Sequence, residues 1–74
     1  MLSKQRFKEI VGNNIKKLRK EKDLSQDELA AQCGFYRTYI NLVETGKRLP
    51  SGYSIYKLAK GLKASVDDIY PSTV

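Results

Sequence analysis

The chain has 74 residues, a net charge of +6, one cysteine and no histidine. A chain this short suits a single domain, 1–74, that buries only about 60% of its unfolded surface. No internal disulfide is possible, a zinc site is not expected, and no apolar run is long enough to span a bilayer.

The opening "MLSKQRFKEI" lacks the apolar segment of a signal peptide, so a soluble, cytoplasmic protein is expected. Cys33 then reads as a small buried residue. Self-association is the remaining support for so small a core. The charge is uneven. Residues 1–22 carry eight basic and two acidic groups, and residues 23–34 carry three acids and no base. A basic balance suits a polyanion such as nucleic acid, and equally a solvated lysine-rich face.

The elements follow in chain order, and all are helical. In a first helix near 3–22, Phe7, Ile10, Val11, Ile15 and Leu18 recur at three- and four-residue steps and make one apolar stripe. A second, near 26–33, opens on Ser25 and Glu28, the spacing of a capping box, with Leu24 and Leu29 placed to form a hydrophobic staple. Gly34 ends it, where a left-handed residue is needed. A third runs near 36–45 and stops before Gly46. "KRLPSG" is a loop. A fourth, near 51–62, aligns Ile55, Leu58, Ala59 and Leu62. A fifth, near 66–70, has Ser65 and Asp68 as a capping pair and stops at Pro71. "PSTV" reads as a loose tail. The chain is therefore expected to be all-α, with five short helices joined by tight connections.

The connection around Gly34 is the most informative. Two helices that cross steeply over a short turn need a small residue at the approach, a glycine at the turn and apolar anchors on each inner face. Ala30, Gly34 and Ile40 supply these, with Leu29, Cys33, Phe35 and Val43 filling in. This is a helix-turn-helix pattern.

The stretch "LSQDELAAQCGFYRTYINLVETGKRLPS" resembles the Xre/Cro/cI family of helix-turn-helix DNA-binding proteins. The carriers are Leu24 to Ala30, Gly34, Ile40 and the run Glu44 to Pro50. "LAKGLKASVDDIY" is similar to the family's closing helices. "RTYI" at 37–40 resembles the recognition helix of restriction–modification controller proteins, with Asn41 where serine is usual. The resemblance implies a lambda-repressor-like fold, a compact bundle of five helices, and a transcriptional regulator. It also implies an ion pair between Arg19 and Glu44. An enzyme is not expected, because the chain has no histidine, a single cysteine and no phosphate loop.

On a helical wheel at about 100° per residue, Tyr36, Ile40 and Val43 of the third helix point inward. Arg37, Thr38, Asn41, Leu42 and Thr45 share the outer arc. Arginine can donate twice to guanine, asparagine can pair with adenine, and a threonine or leucine methyl can meet thymine. Arg37, Thr38, Asn41 and Leu42 are therefore the expected base readers, although Leu42 could equally pack on the following loop. Gln26, at the start of the second helix, can donate to a phosphate. Lys47 and Arg48 can grip the backbone. Tyr39, on the border of the wheel, serves either a phosphate or the core.

One reading helix covers only a few base pairs, so a homodimer on a palindromic operator in double-stranded DNA is expected. Tyr53, Tyr56, Val66, Ile69 and Tyr70 form its expected interface, the alternative being that they finish the monomer core. No cofactor, small-molecule ligand or membrane partner is expected. A phage or plasmid repressor, and an antitoxin-like protein-interaction module, are the alternatives.

Overall fold

A computed structural model describes residues 1–71, and all regular structure among them is helical. The elements are α1 (Lys4–Glu21), α2 (Gln26–Cys33), α3 (Arg37–Glu44), α4 (Gly52–Leu62) and a 3-10 turn, Val66–Asp68. The tail expected beyond Pro71 lies outside the described residues. Among these residues no helix is long and apolar enough to cross a membrane.

The helix starts follow from capping. The Ser3, Ser25 and Ser51 side chains each accept a backbone N–H three residues on, from Arg6, Glu28 and Ser54. At α2 the box is complete, because the Glu28 carboxylate also accepts the Ser25 N–H at 2.8 Å. That bond, then the Ser25 hydroxyl, holds the Glu28 carboxyl below its usual range. At the other end of α2, Gly34 takes φ 75°, and the Gly34 and Phe35 N–H groups both turn back to the Ala30 carbonyl.

The expected fifth helix is corrected: it is a single 3-10 turn, so the bundle has four α-helices. The Ser65–Asp68 cap forms, with the Ser65 N–H donating to Asp68 Oδ2 at 3.0 Å. Pro71 follows too closely for an α-helical turn to propagate.

The core collects Val11 and Ile15 from α1, Leu29, Ala30 and Cys33 from α2, and Ile40 and Val43 from α3. Ile55, Leu58, Ala59 and Leu62 of α4 and Ile69 complete it. Each fully buried Leu, Ile or Val contributes about 1.5–3 kcal/mol. Leu24, the outer half of the expected staple, packs against this cluster. Cys33 is buried as expected, and burial pushes its thiol pKa up, opposed by the nearby Lys57 charge.

Two features lock α1 against α3. The first is Gly12, which is buried in mid-helix. A Cβ there would lie 2.2 Å from the Val43 carbonyl oxygen, so only glycine lets the two backbones approach this closely. The second is the expected ion pair. Arg19 Nε and Nη2 donate to the two oxygens of Glu44 at 2.6 and 3.0 Å, and Nη1 donates to the Leu24 carbonyl at 2.7 Å. The Arg19 side chain is 10% exposed and that of Glu44 2%. The hydrogen bond to Glu44 raises the Arg19 pKa further, against the opposing effect of burial.

Gly12→Ala should lower the unfolding free energy by about 1–3 kcal/mol through overpacking. Helix propensity alone would raise it by about 1 kcal/mol, so the sign of the change in a urea melt decides. Arg19→Met or Glu44→Leu alone should each cost about 3–5 kcal/mol by stranding a buried charge. The double variant should cost much less than the sum. Additive losses in the same melts would mean the pair is not coupled.

Candidate nucleic-acid interface

The outer face of α3 is laid bare as the wheel requires. Arg37, Thr38 and Asn41 are exposed, while Ile40 and Val43 are fully buried. Arg37, Thr38 and Asn41 line one shallow recess with Gln26 from the start of α2. Residues from both helices of the helix-turn-helix thus meet at one surface. Donors and acceptors are mixed there, as reading of base edges requires.

Leu42 is half-buried and does not stand fully on the outer face. Thr45 is exposed, but it is the C-cap of α3, and its hydroxyl donates to the Asn41 carbonyl at 2.8 Å. It closes the helix, which leaves Arg37, Thr38 and Asn41 as the free polar groups of this arc.

Arg37 is held only loosely. Its guanidinium lies 4.0 Å from the Asp27 carboxylate, with both side chains about two-thirds exposed. Such a surface pair contributes at most about 1 kcal/mol and yields readily to a better anion. Of the two acids at the start of α2, Glu28 is turned back onto the cap, whereas Asp27 stays on the reading surface beside Arg37.

The expected phosphate grips occupy different settings. Lys47 and Arg48 are exposed directly after α3. Tyr39 is half-buried, with its ring 4.7 Å from that of Phe35 and the Arg48 guanidinium 5.6 Å from its centre. It therefore packs on one side and carries Arg48 on the other, in cation–π geometry. Gln26 is half-buried, and its Nε2 donates to Glu44 Oε1 at 3.1 Å.

Two expected placements are corrected. Tyr36 is not an inner-face residue: it is the N-cap of α3, extended in backbone conformation and 86% exposed. The wheel does not apply before the first helical residue. The structure therefore adds Tyr36, beside Arg37, to the exposed surface at the start of the reading helix. Ile69 is likewise not a surface residue. It is fully buried, and its carbonyl accepts Asn14 Nδ2 at 2.8 Å. The 3-10 turn tucks it back under α1.

Of the other four expected interface residues, Tyr53, Tyr56 and Val66 are exposed. The two tyrosine rings stack at 6.3 Å. Tyr70 is half-buried against Phe7, ring to ring at 6.0 Å. Among the described residues no cluster of three or more His, Cys, Asp or Glu could hold a metal ion.

Comparison with known proteins supports the helix-turn-helix fold. A helix-turn-helix family model matches residues 15–69. The control protein C.MunI of a Mycoplasma species is 45% identical over 60 residues, covering 80% of this chain and 81% of that protein. The crystal structure of the restriction–modification controller protein C.AhdI from Aeromonas hydrophila superposes with a TM-score of 0.82 at 35% identity. That match covers 85% of this chain and 96% of that one. The controller protein C.Esp1396I, solved as a tetramer on its natural 35 base-pair operator, matches with a TM-score of 0.76 at 36% identity, over 80% of this chain and 78% of that one. The chain belongs to the helix-turn-helix family of transcriptional regulators, and restriction–modification controller proteins are among its relatives.

Proposed function

We propose that the chain is a sequence-specific DNA-binding regulator that acts as a homodimer on a palindromic operator, the controller of a restriction–modification system. It is a cytoplasmic protein without catalytic activity, and residues 1–74 act as one DNA-binding domain. The observation that carries this reading is the shared recess of Gln26, Arg37, Thr38 and Asn41 on an otherwise solvent-facing side of α3. The operator-bound relative supports the same reading.

In this reading Arg37, Thr38 and Asn41 enter the major groove, with Leu42 at the edge of the contact. Gln26, Tyr39, Lys47 and Arg48 hold the phosphates, which sets register without reading sequence. Tyr53, Tyr56 and Val66, with the free edge of Tyr70, pair two copies. Two reading helices related by a two-fold axis then address half-sites about 34–36 Å apart.

Selection of binding sites from a random duplex library tests this directly. The recovered sites should be two inverted half-sites, centred about 10 base pairs apart. Recovery of no enriched sequence would overturn the reading. Arg37→Ala should weaken binding to the selected site by about 1–3 kcal/mol and relax preference at one base pair per half-site. Lys47→Ala should weaken binding to every duplex alike and make the salt dependence shallower by about one unit of slope. An unchanged slope would remove Lys47 from the phosphate contacts.

A further inference from the structure

The buried ion pair does not end at Glu44. One carboxylate oxygen, Oε1, accepts both from Arg19 Nη2 at 3.0 Å and from Gln26 Nε2 at 3.1 Å. Gln26 is also a wall of the recess shared with Arg37, Thr38 and Asn41. A continuous hydrogen-bonded path therefore runs from the core to the reading surface. We infer that Glu44 is a positioning residue for DNA binding: held by Arg19, its carboxylate sets which way the Gln26 amide faces. The inference rests on the DNA-binding reading above and names a residue that never touches DNA.

The chemistry dictates the orientation. A carboxylate engaged by a guanidinium is ionised and can only accept hydrogen bonds. An amide beside it must offer an N–H, because its carbonyl would set two acceptors against each other with no hydrogen between them. Which end of an amide points where is otherwise ambiguous, and here the neighbouring charge removes the ambiguity. One Gln26 N–H is committed inward, and among the described residues the other N–H and the carbonyl have no partner. They are held at fixed places at the edge of the recess. A phosphate oxygen accepts only, so the side chain meets it with its donor already placed. Ordering a free glutamine at the moment of binding would cost affinity that this arrangement spares.

The carboxylate can be replaced without losing its shape. In Glu44→Gln, either orientation of the new amide sets its NH2 against an Arg19 donor, so the side chain no longer offers Gln26 one fixed acceptor. The Gln26 amide is then no longer set in one direction at the edge of the recess. Affinity for a mixed-sequence duplex should fall about three- to tenfold. In a Gln26→Ala background the same Glu44→Gln change should have almost no further effect. A merely structural role for Glu44 would lower affinity by the same factor in both backgrounds, and that result would overturn the inference. So would an unchanged affinity in the single variant. Circular dichroism at the assay temperature establishes that all four proteins are folded.

Should Glu44→Gln fail to fold, the wild type alone still decides. In the free protein, NMR should show one Gln26 side-chain amide proton exchanging with water more slowly than those of the exposed Gln32. Equal exchange at both glutamines would sink the positioning role. Absence of duplex binding by the wild type would instead remove the DNA-binding reading, and the exchange measurement would still report on Gln26.

Discussion

The pairing of Arg19 with Glu44 is the constraint on which the rest of the arrangement depends. Two opposite charges taken out of water are costly unless every donor and lone pair is matched. Here three guanidinium nitrogens donate to two carboxylate oxygens and the Leu24 carbonyl. These bonds tie the end of α1 to the end of α3 and to the residue before the α2 cap. The glycine contact at Gly12 brings the same two helices together from the other side. The reading helix is therefore anchored at its C-terminal end, while its N-terminal residues stand free.

That anchoring explains how one short helix can be both core and surface. Eight residues are too few for α3 to be stable alone. Ile40 and Val43 attach it by apolar burial, and Glu44 by a charge. Nothing is left on the inner side that needs a polar partner, so Arg37, Thr38 and Asn41 carry no structural duty. The chain's charges are sorted in the same way. Glu44 is neutralised in the core, Glu28 is absorbed in a cap, and Arg37 and Asp27 form a pair weak enough to open. Lys47 and Arg48 stay exposed where α3 gives way to the loop.

Much of this was legible in the residues because the signals were local. Capping boxes, glycine at a left-handed position and apolar steps of three and four each act within one or two turns. All four α-helices fall within about a residue of their expected limits for that reason. The Arg19–Glu44 pair was legible only through the family resemblance, since nothing local links residues 25 positions apart. Tyr36 and Ile69 were misplaced because composition and periodicity do not show where a helix begins or which way a terminal turn folds. A wheel assigns a direction only to residues already in the helix, and an apolar residue near a chain end suits a core and an interface equally.

By itself the sequence determined an all-helical chain, the limits of the four α-helices to within about a residue, the turn at Gly34 and the polar composition of the outer arc of α3. Those properties follow from short-range sterics and hydrogen bonding. Only the tertiary structure decided that Gly12 is a contact and not a flaw, and that Leu42 and Tyr39 are half-buried. It also decided that Thr45 closes a helix and that Ile69 belongs to the core. It placed Gln26 between Glu44 and the recess of α3, which no spacing along the chain could disclose. Each of these depends on which atoms from distant segments come within a few ångströms, and that is settled only when the helices pack.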